Sequence, residues 1–222
     1  MSSLPETFDK HLRNAINARA IWLPGSPIQI GDILIRSTGV LDKGPFKQVG
    51  HISDFGATIK SASHVDISLD LASSKVKQRV FQAAVEISKD ALDLAADASV
   101  KFEFGGKNQF ILKTPSLSGL SIQNLLGIGE QLAAKPTWND DDFFIVSETY
   151  GATDWTFLGV KENSSNFEFA GKGSDVLSLL TAGISAGLKT SGTIDVKLAG
   201  KSGMIGMNLV RIRKDGTVKP SD

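Results

Sequence analysis

The sequence predicts an α+β fold: a twisted, largely antiparallel sheet with an N-terminal helix and two or three further helices. Three observations predict it. Several short stretches alternate apolar and polar residues, helical periodicity is confined to a few segments, and strands and helices do not alternate regularly as a doubly wound sheet requires. At 222 residues with an ordinary apolar share, the chain can bury a core without covalent staples. No repeat or linker interrupts it, so residues 1–222 read as a single domain ending in a polar tail over 213–222.

Ser3 and Glu6 form a capping box, and Leu4, Phe8, Leu12 and Ile16 follow at the spacing of one helical face, with Lys10, Arg13 and Asn17 opposite. After Leu23-Pro24-Gly25, the residues Ile28, Ile30, Ile33 and Ile35 read as a buried strand. The glycines and proline of Ser37–Lys47 specify a hairpin-like loop that carries Leu41 and Phe46 beside Lys43 and Lys47. Val65, Ile67, Leu69 and Leu71 then alternate with Asp66, Ser68 and Asp70 as an amphipathic strand.

Between Lys75 and Asp97 the period changes. Val76, Val80, Ala83, Ala84, Ile87, Ala91 and Leu94 trace a stripe that predicts a helix. Alternation returns at Val100, Phe102 and Phe104, and Gly105-Gly106 marks a turn before Phe110. A short helix is expected near Ile122–Leu132. Phe143–Val146, Trp155–Val160 (with Trp155 and Phe157) and Phe167–Ala170 are separate strand candidates, and Val176–Leu180 fits a short helix. Ile194, Val196 and Leu198 alternate with Asp195 and Lys197, and Met207–Ile212 reads as the last strand.

Composition excludes much chemistry. Without cysteine there is no disulfide, thiolate metal site, cysteine nucleophile or thioester anchor. Lys plus Arg and Asp plus Glu balance at 24 each, so no global field draws the chain to nucleic acid, and attraction to an anionic bilayer must come from a local patch. His11, His51 and His64 lack metal-ligand spacing. No nucleophile elbow is present, Gly200-Lys201-Ser202 lacks the first glycine of a phosphate loop at Asp195, and Asp140-Asp141-Asp142 lacks the spaced ligands of a calcium loop. The chain is therefore read as non-enzymatic, with no cofactor and no metal. Met1–Glu6 does not read as a secretory signal, Asn163-Ser164-Ser165 is read as a polar turn, and no stretch approaches the roughly 20 apolar residues of a spanning helix. Entry into a membrane would have to be by strands.

An N-terminal helix leads to Ile21-Trp22-Leu23-Pro24, then Ile33-Leu34-Ile35, then Val49-Gly50-His51-Ile52-Ser53-Asp54. Later come Val100–Phe104 and Asp142–Tyr150, the latter followed by Trp155–Val160. This order resembles the pore-forming domain of the gasdermin family, especially its bacterial and fungal members. The resemblance implies contact with acidic lipid through Lys10, Arg13, Arg19, Lys43 and Lys47, with Leu41 and Phe46 anchoring the loop. It also implies refolding of residues 62–114 and 142–200 into membrane hairpins whose walls would include Val65 to Leu71, Val100 to Phe104, Trp155, Phe157 and Ile194 to Leu198. Many copies would close into a barrel, and the helix expected over 75–97 would have to melt.

The chain lacks the N-terminal cysteine of bacterial members and the inhibitory domain of animal ones. In that respect it resembles the fungal allorecognition proteins, in which regulated cell death follows co-assembly with a divergent variant rather than proteolysis. The resemblance implies a cytoplasmic soluble form, a plasma-membrane assembly, homo- or hetero-oligomers and no nucleic-acid partner. The alternative reading is a cytosolic α+β ligand- or protein-binding module, in which the alternating strands form one wet sheet.

Overall fold

The computed structural model describes residues 2–36, 46–82, 85–88, 97–138, 141–161, 165–172, 174, 176, 179, 189–191 and 195–221. Its elements are α1 (Leu4–Ile16), β1 (Arg19–Ala20), β2 (Asp32–Arg36), β3 (Phe46–His51), a 3-10 turn (Ile52–Phe55), β4 (Ser61–Ala72), β5 (Val76–Gln82), β6 (Val85–Glu86), β7 (Ala98–Phe104), β8 (Gln109–Ile122), α2 (Leu125–Ala133), β9 (Phe144–Val160), β10 (Ser165–Gly171), β11 (Lys189–Ser191), β12 (Val196–Ile212) and β13 (Val218–Pro220). One sheet has the order β1-β12-β9-β2-β3, with β13 on β12, β8 on β9 and β4 on β8; the second has the order β11-β10-β7-β5-β6. The registered pairs are all antiparallel.

The chain divides into two compact units. The first holds Met1–Ile16, Ile67–Leu117 and Ala152–Ser202. Its helix α1 begins with the expected capping box, in which the Ser3 amide donates to Glu6 Oε2 at 2.7 Å. Leu4, Phe8 and Leu12 are buried, and Phe8 meets the edges of Phe110 on β8 and Phe157 on β9 at 5.2 and 5.1 Å. Successive strand residues point to opposite faces. Ile111, Leu158 and Val160 accordingly join Val100, Phe102, Phe104, Phe167 and Phe169 of the second sheet in a separate core.

The second unit holds Asn17–Asp66, Ser118–Gly151 and Gly203–Asp222. One of its cores gathers Ile21, Leu34, Phe144, Val146, Met207 and Leu209. The other places Ile128 and Leu132 of α2, Ile52 and Trp138 with Ile33, Ile145 and Ile212. The Trp138 indole N–H donates to the Ile212 carbonyl at 2.8 Å.

Five expectations need correction. Instead of a helix from Lys75, residues 76–82 and 85–86 are strands. Val76 and Val80 are four apart, a spacing that satisfies both a helical turn and strand alternation, and pairing with the aromatic β7 decides for the strand. Ala91 and Leu94 lie outside the described residues. The second correction is that α2 is the one further α-helix delimited among the described residues, so the molecule holds more sheet than expected. Third, Phe144–Val146 and Trp155–Val160 belong to one 17-residue strand, β9, which begins just after Phe143. Fourth, Met207–Ile212 is not the last strand. The tail folds back as β13, with Val210 opposite Pro220 and Ile212 opposite Val218. Finally, the strand expected from Ile28 begins only at Asp32, after Gly31 at φ 89°.

Candidate functional site

Strands β5 and β7 pair from Val76 opposite Phe104 to Phe81 opposite Ser99. Extending that register outward would place Ser73 opposite Lys107, yet the Ser73 amide donates to the Phe110 carbonyl at 3.0 Å. Residues 105–109 therefore carry three extra residues relative to the β4–β5 side. No further slip follows. The Gln123 amide donates to the Lys60 carbonyl at 2.7 Å, which keeps the same separation on both strands (60 to 73, 110 to 123). β4–β5 and β7–β8 thus form one two-stranded ribbon with a three-residue offset at the corner.

At that corner the two connections touch through their backbones. The Gly105 amide donates to the Lys75 carbonyl at 2.9 Å. A Cβ at position 105 would lie 3.0 Å from that oxygen, so glycine is what permits the approach. Ser73 is buried, and its hydroxyl accepts from the Phe110 amide at 2.9 Å. The apolar phase also changes here. Among the described side chains, Leu69 is the buried one on β4 and Val80 on β5, an odd and an even position, so a straight ribbon keeps one oily face only by retaining a bulge.

The corner also assembles a cleft of about 390 Å³ lined by Ser2, Thr7, Lys10, His11, Ser73, Ser74, Lys75, Lys107, Asn108 and Gln109. Lys10 comes from α1, Lys75 from the β4–β5 turn and Lys107 from the β7–β8 turn, and all three are exposed. Among the described lining residues there is no carboxylate. Asn108 sits at φ 54°, a left-handed conformation that asparagine tolerates, and its amide donates to the Ser2 carbonyl at 2.8 Å. The His11 ring is fixed by a 2.8 Å contact between Nδ1 and the Thr7 carbonyl and by an edge contact with Phe110 at 5.4 Å. The cleft thus offers three ammonium groups, hydroxyls and an amide from a fixed frame.

A second basic cluster lies in the other unit. The guanidinium groups of Arg211 and Arg36 stand 4.3 and 5.6 Å from the centre of the Phe144 ring. Asp141 and Asp142 line the same cleft of about 530 Å³, which offsets its positive charge.

No protein-family model and no curated protein matches the sequence. Among solved structures, the chain is similar to a bacterial gasdermin from Bradyrhizobium tropiciagri at 13% identity, covering 99% of this chain and 91% of that one with a TM-score of 0.43. It is also similar to the gasdermin A3 membrane pore at 13% identity, covering 100% and 95% with a TM-score of 0.32.

The residues expected to touch lipid fall in both units. Lys10 and Arg13 stand in the first unit, Arg19 and Lys47 in the second. Lys10 is exposed, whereas Arg13 pairs with Asp9 at 2.8 Å. Arg19 reaches the Ser221 carbonyl at 3.4 Å and lies over the Phe46 ring at 5.8 Å. Lys47 is exposed on β3. Phe46 begins β3 half-buried, with its ring 5.4 Å from that of Phe144; it packs on the sheet rather than standing free on a loop. Leu41 and Lys43 lie outside the described residues.

Of the hairpin positions, Val100, Phe102, Phe104, Trp155 and Phe157 are buried, Leu69 is buried, Leu71, Val196 and Leu198 are half-buried, and Ile67 is 40% exposed. Val65 lies on β4, whereas Ile194 lies outside the described residues. Sequence reasoning singled out Lys10 but missed Lys75, Lys107, Arg36 and Arg211. The turn signals Ser73-Ser74 and Gly105-Gly106 stand beside the first two; their convergence is a tertiary fact.

Proposed function

We propose that this chain is a non-enzymatic, membrane-permeabilising protein that docks on acidic phospholipid, oligomerises and inserts β-hairpins, causing regulated cell death. The observation that carries this reading is the bent ribbon. A strand crossing a bilayer needs about 9–11 residues, and each strand of the ribbon, 60–82 and 98–123, is about twice that. Opening one corner would give a hairpin long enough to span while keeping the pairing on either side of it. β7 already alternates Val100, Phe102 and Phe104 with Ser99, Lys101 and Glu103, the pattern of a barrel wall with one oily and one wet face.

Closure into a ring of many copies is obligatory, because an open edge in lipid leaves backbone groups unpaired. Lys47, with Lys43 and Leu41, supplies the initial attraction, each basic group near an anionic surface adding about 1 kcal/mol. The soluble form is cytoplasmic and the assembled form sits in the plasma membrane. The trigger is co-assembly with a divergent variant of the chain rather than proteolysis, as the sequence resemblance to fungal members implies.

Dye release from liposomes with and without anionic lipid, with the protein alone and mixed with its nearest variant, tests the reading. Leakage that requires anionic lipid and is strongest in the mixture is expected. Absence of leakage and of lipid binding under every condition overturns it; strong lysis by the chain alone, unchanged by the variant, overturns the trigger.

A further inference from the structure

We propose that the cleft formed by Lys10, Lys75 and Lys107 binds a soluble, phosphate-rich anion, and that this ligand holds the ribbon in its bent form. The anion site rests on the cleft alone, whereas its effect on permeabilisation rests on the reading given above.

The chemistry follows from what lines the cleft. Three lysines from three separate elements open onto one concavity with no carboxylate among its described lining residues, and a concavity lined by one sign of charge focuses the field and concentrates counter-ions. Lysine ammonium groups are compact point charges that bind phosphate oxygens without demanding one fixed plane. Thr7, Ser74 and Asn108 add neutral hydrogen-bonding groups around them. A volume of about 390 Å³ falls in the range of small-molecule sites and accommodates several linked phosphate groups.

The regulatory consequence follows from where the lysines are mounted. Lys75 and Lys107 belong to the two turns tied together by the bond from the Gly105 amide to the Lys75 carbonyl, so the cleft exists only while the corner is bent. A ligand that binds one conformation and not the other shifts the population toward the first. An anion in this cleft therefore opposes straightening of β4–β5 against β7–β8.

Inorganic tripolyphosphate is the probe. It is expected to raise the thermal midpoint of the full-length chain and of a charge-matched control, K60Q/K135Q/K219Q, whose lysines lie elsewhere and are exposed. The shift is expected to vanish in K10Q/K75Q/K107Q; an equal shift there overturns the site. In dye-release assays with phosphatidylcholine vesicles doped with phosphatidic acid, tripolyphosphate is expected to slow leakage at least several-fold in wild type and not in the cleft variant. Unslowed leakage at saturating tripolyphosphate overturns the lock. Co-sedimentation with the same vesicles is expected to be equal for the cleft variant and the charge-matched control. Selective loss in the cleft variant makes a lipid headgroup the ligand and overturns the lock as well. If no condition releases dye, the permeabilisation reading fails, while the thermal-shift arm still decides the anion site.

Discussion

The Gly105 amide and the Lys75 carbonyl meet at 2.9 Å, joining two turns far apart in sequence at the point where the ribbon changes register. A Cβ on residue 105 would press on that carbonyl oxygen at 3.0 Å, whereas one on Gly106 would meet only the Lys75 side chain, at 3.7 Å. Gly105→Val is therefore expected to cost about 1–3 kcal/mol through overpacking. Gly106→Ala should stay within about 0.5 kcal/mol of wild type. Urea unfolding of the two variants measures the contrast, and equal costs would show that the corner is not tightly packed.

Gly119 on β8 leaves room for the His64 ring of β4, which a Cβ there would penetrate. His64 Nε2 contacts Glu148 Oε1 of β9 at 2.5 Å, and Glu148 Oε2 accepts from the Asn208 amide at 2.5 Å. An alanine at 119 must displace the ring and break that pair. The expected signature is non-additivity: Gly119→Ala should destabilise by about 1–3 kcal/mol in the wild-type background and by much less once His64→Ala has vacated the space. A double-mutant cycle reads the coupling, expected at about 0.5–3 kcal/mol for groups in contact.

How far the sequence foretells such arrangements depends on range. The capping box of Ser3 and Glu6, the stripe of Leu4, Phe8 and Leu12, and the alternation through Phe102 and Phe104 are local, and each folds as its period predicts. Val76 and Val80 fail because their spacing fits both periods and the choice falls to a partner strand. Lys75 and Lys107 were invisible as a site for a related reason. Each stands beside an ordinary turn, and only the pairing of β5 with β7 and the packing of α1 bring them to one cleft. The length of β9 was hidden by the turn-forming residues Gly151, Thr153 and Asp154 inside it; Asp154 adopts φ 47° while the strand continues.

Lys113 is buried on β8 and forms an ion pair with Asp70 of the neighbouring strand β4. Removing the partner of a buried charge costs about 3–5 kcal/mol when both groups are buried. Asp70 is 58% exposed, so water can partly replace it, and Asp70→Asn is expected to cost about 2 kcal/mol. Lys113→Met, which removes the charge while keeping an apolar stem, should restore most of that loss in the double variant. Chemical denaturation of the three variants checks this; a neutral Asp70→Asn would mean that other contacts of Lys113 carry its charge.

Asp32 is fully buried at the start of β2, where its carboxylate accepts from the Gln29 amide at 2.9 Å and from the Gln48 side chain at 2.8 Å. Burial outweighs these bonds and the nearby His51, holding its pKa above the ordinary value of 3.8. The folded protein therefore keeps this proton to a higher pH than the unfolded chain does. Asp32 contributes most to stability below pH 3.8, and that contribution is lost as pH rises through the folded pKa. In Asp32→Asn the side chain stays neutral at every pH, and rotation of the Gln48 amide lets it accept from the new donor. The denaturation midpoint of Asp32→Asn relative to wild type should therefore rise from acid toward neutral pH and then level off. A difference that stays constant across that window would show that the buried carboxyl does not carry the linkage.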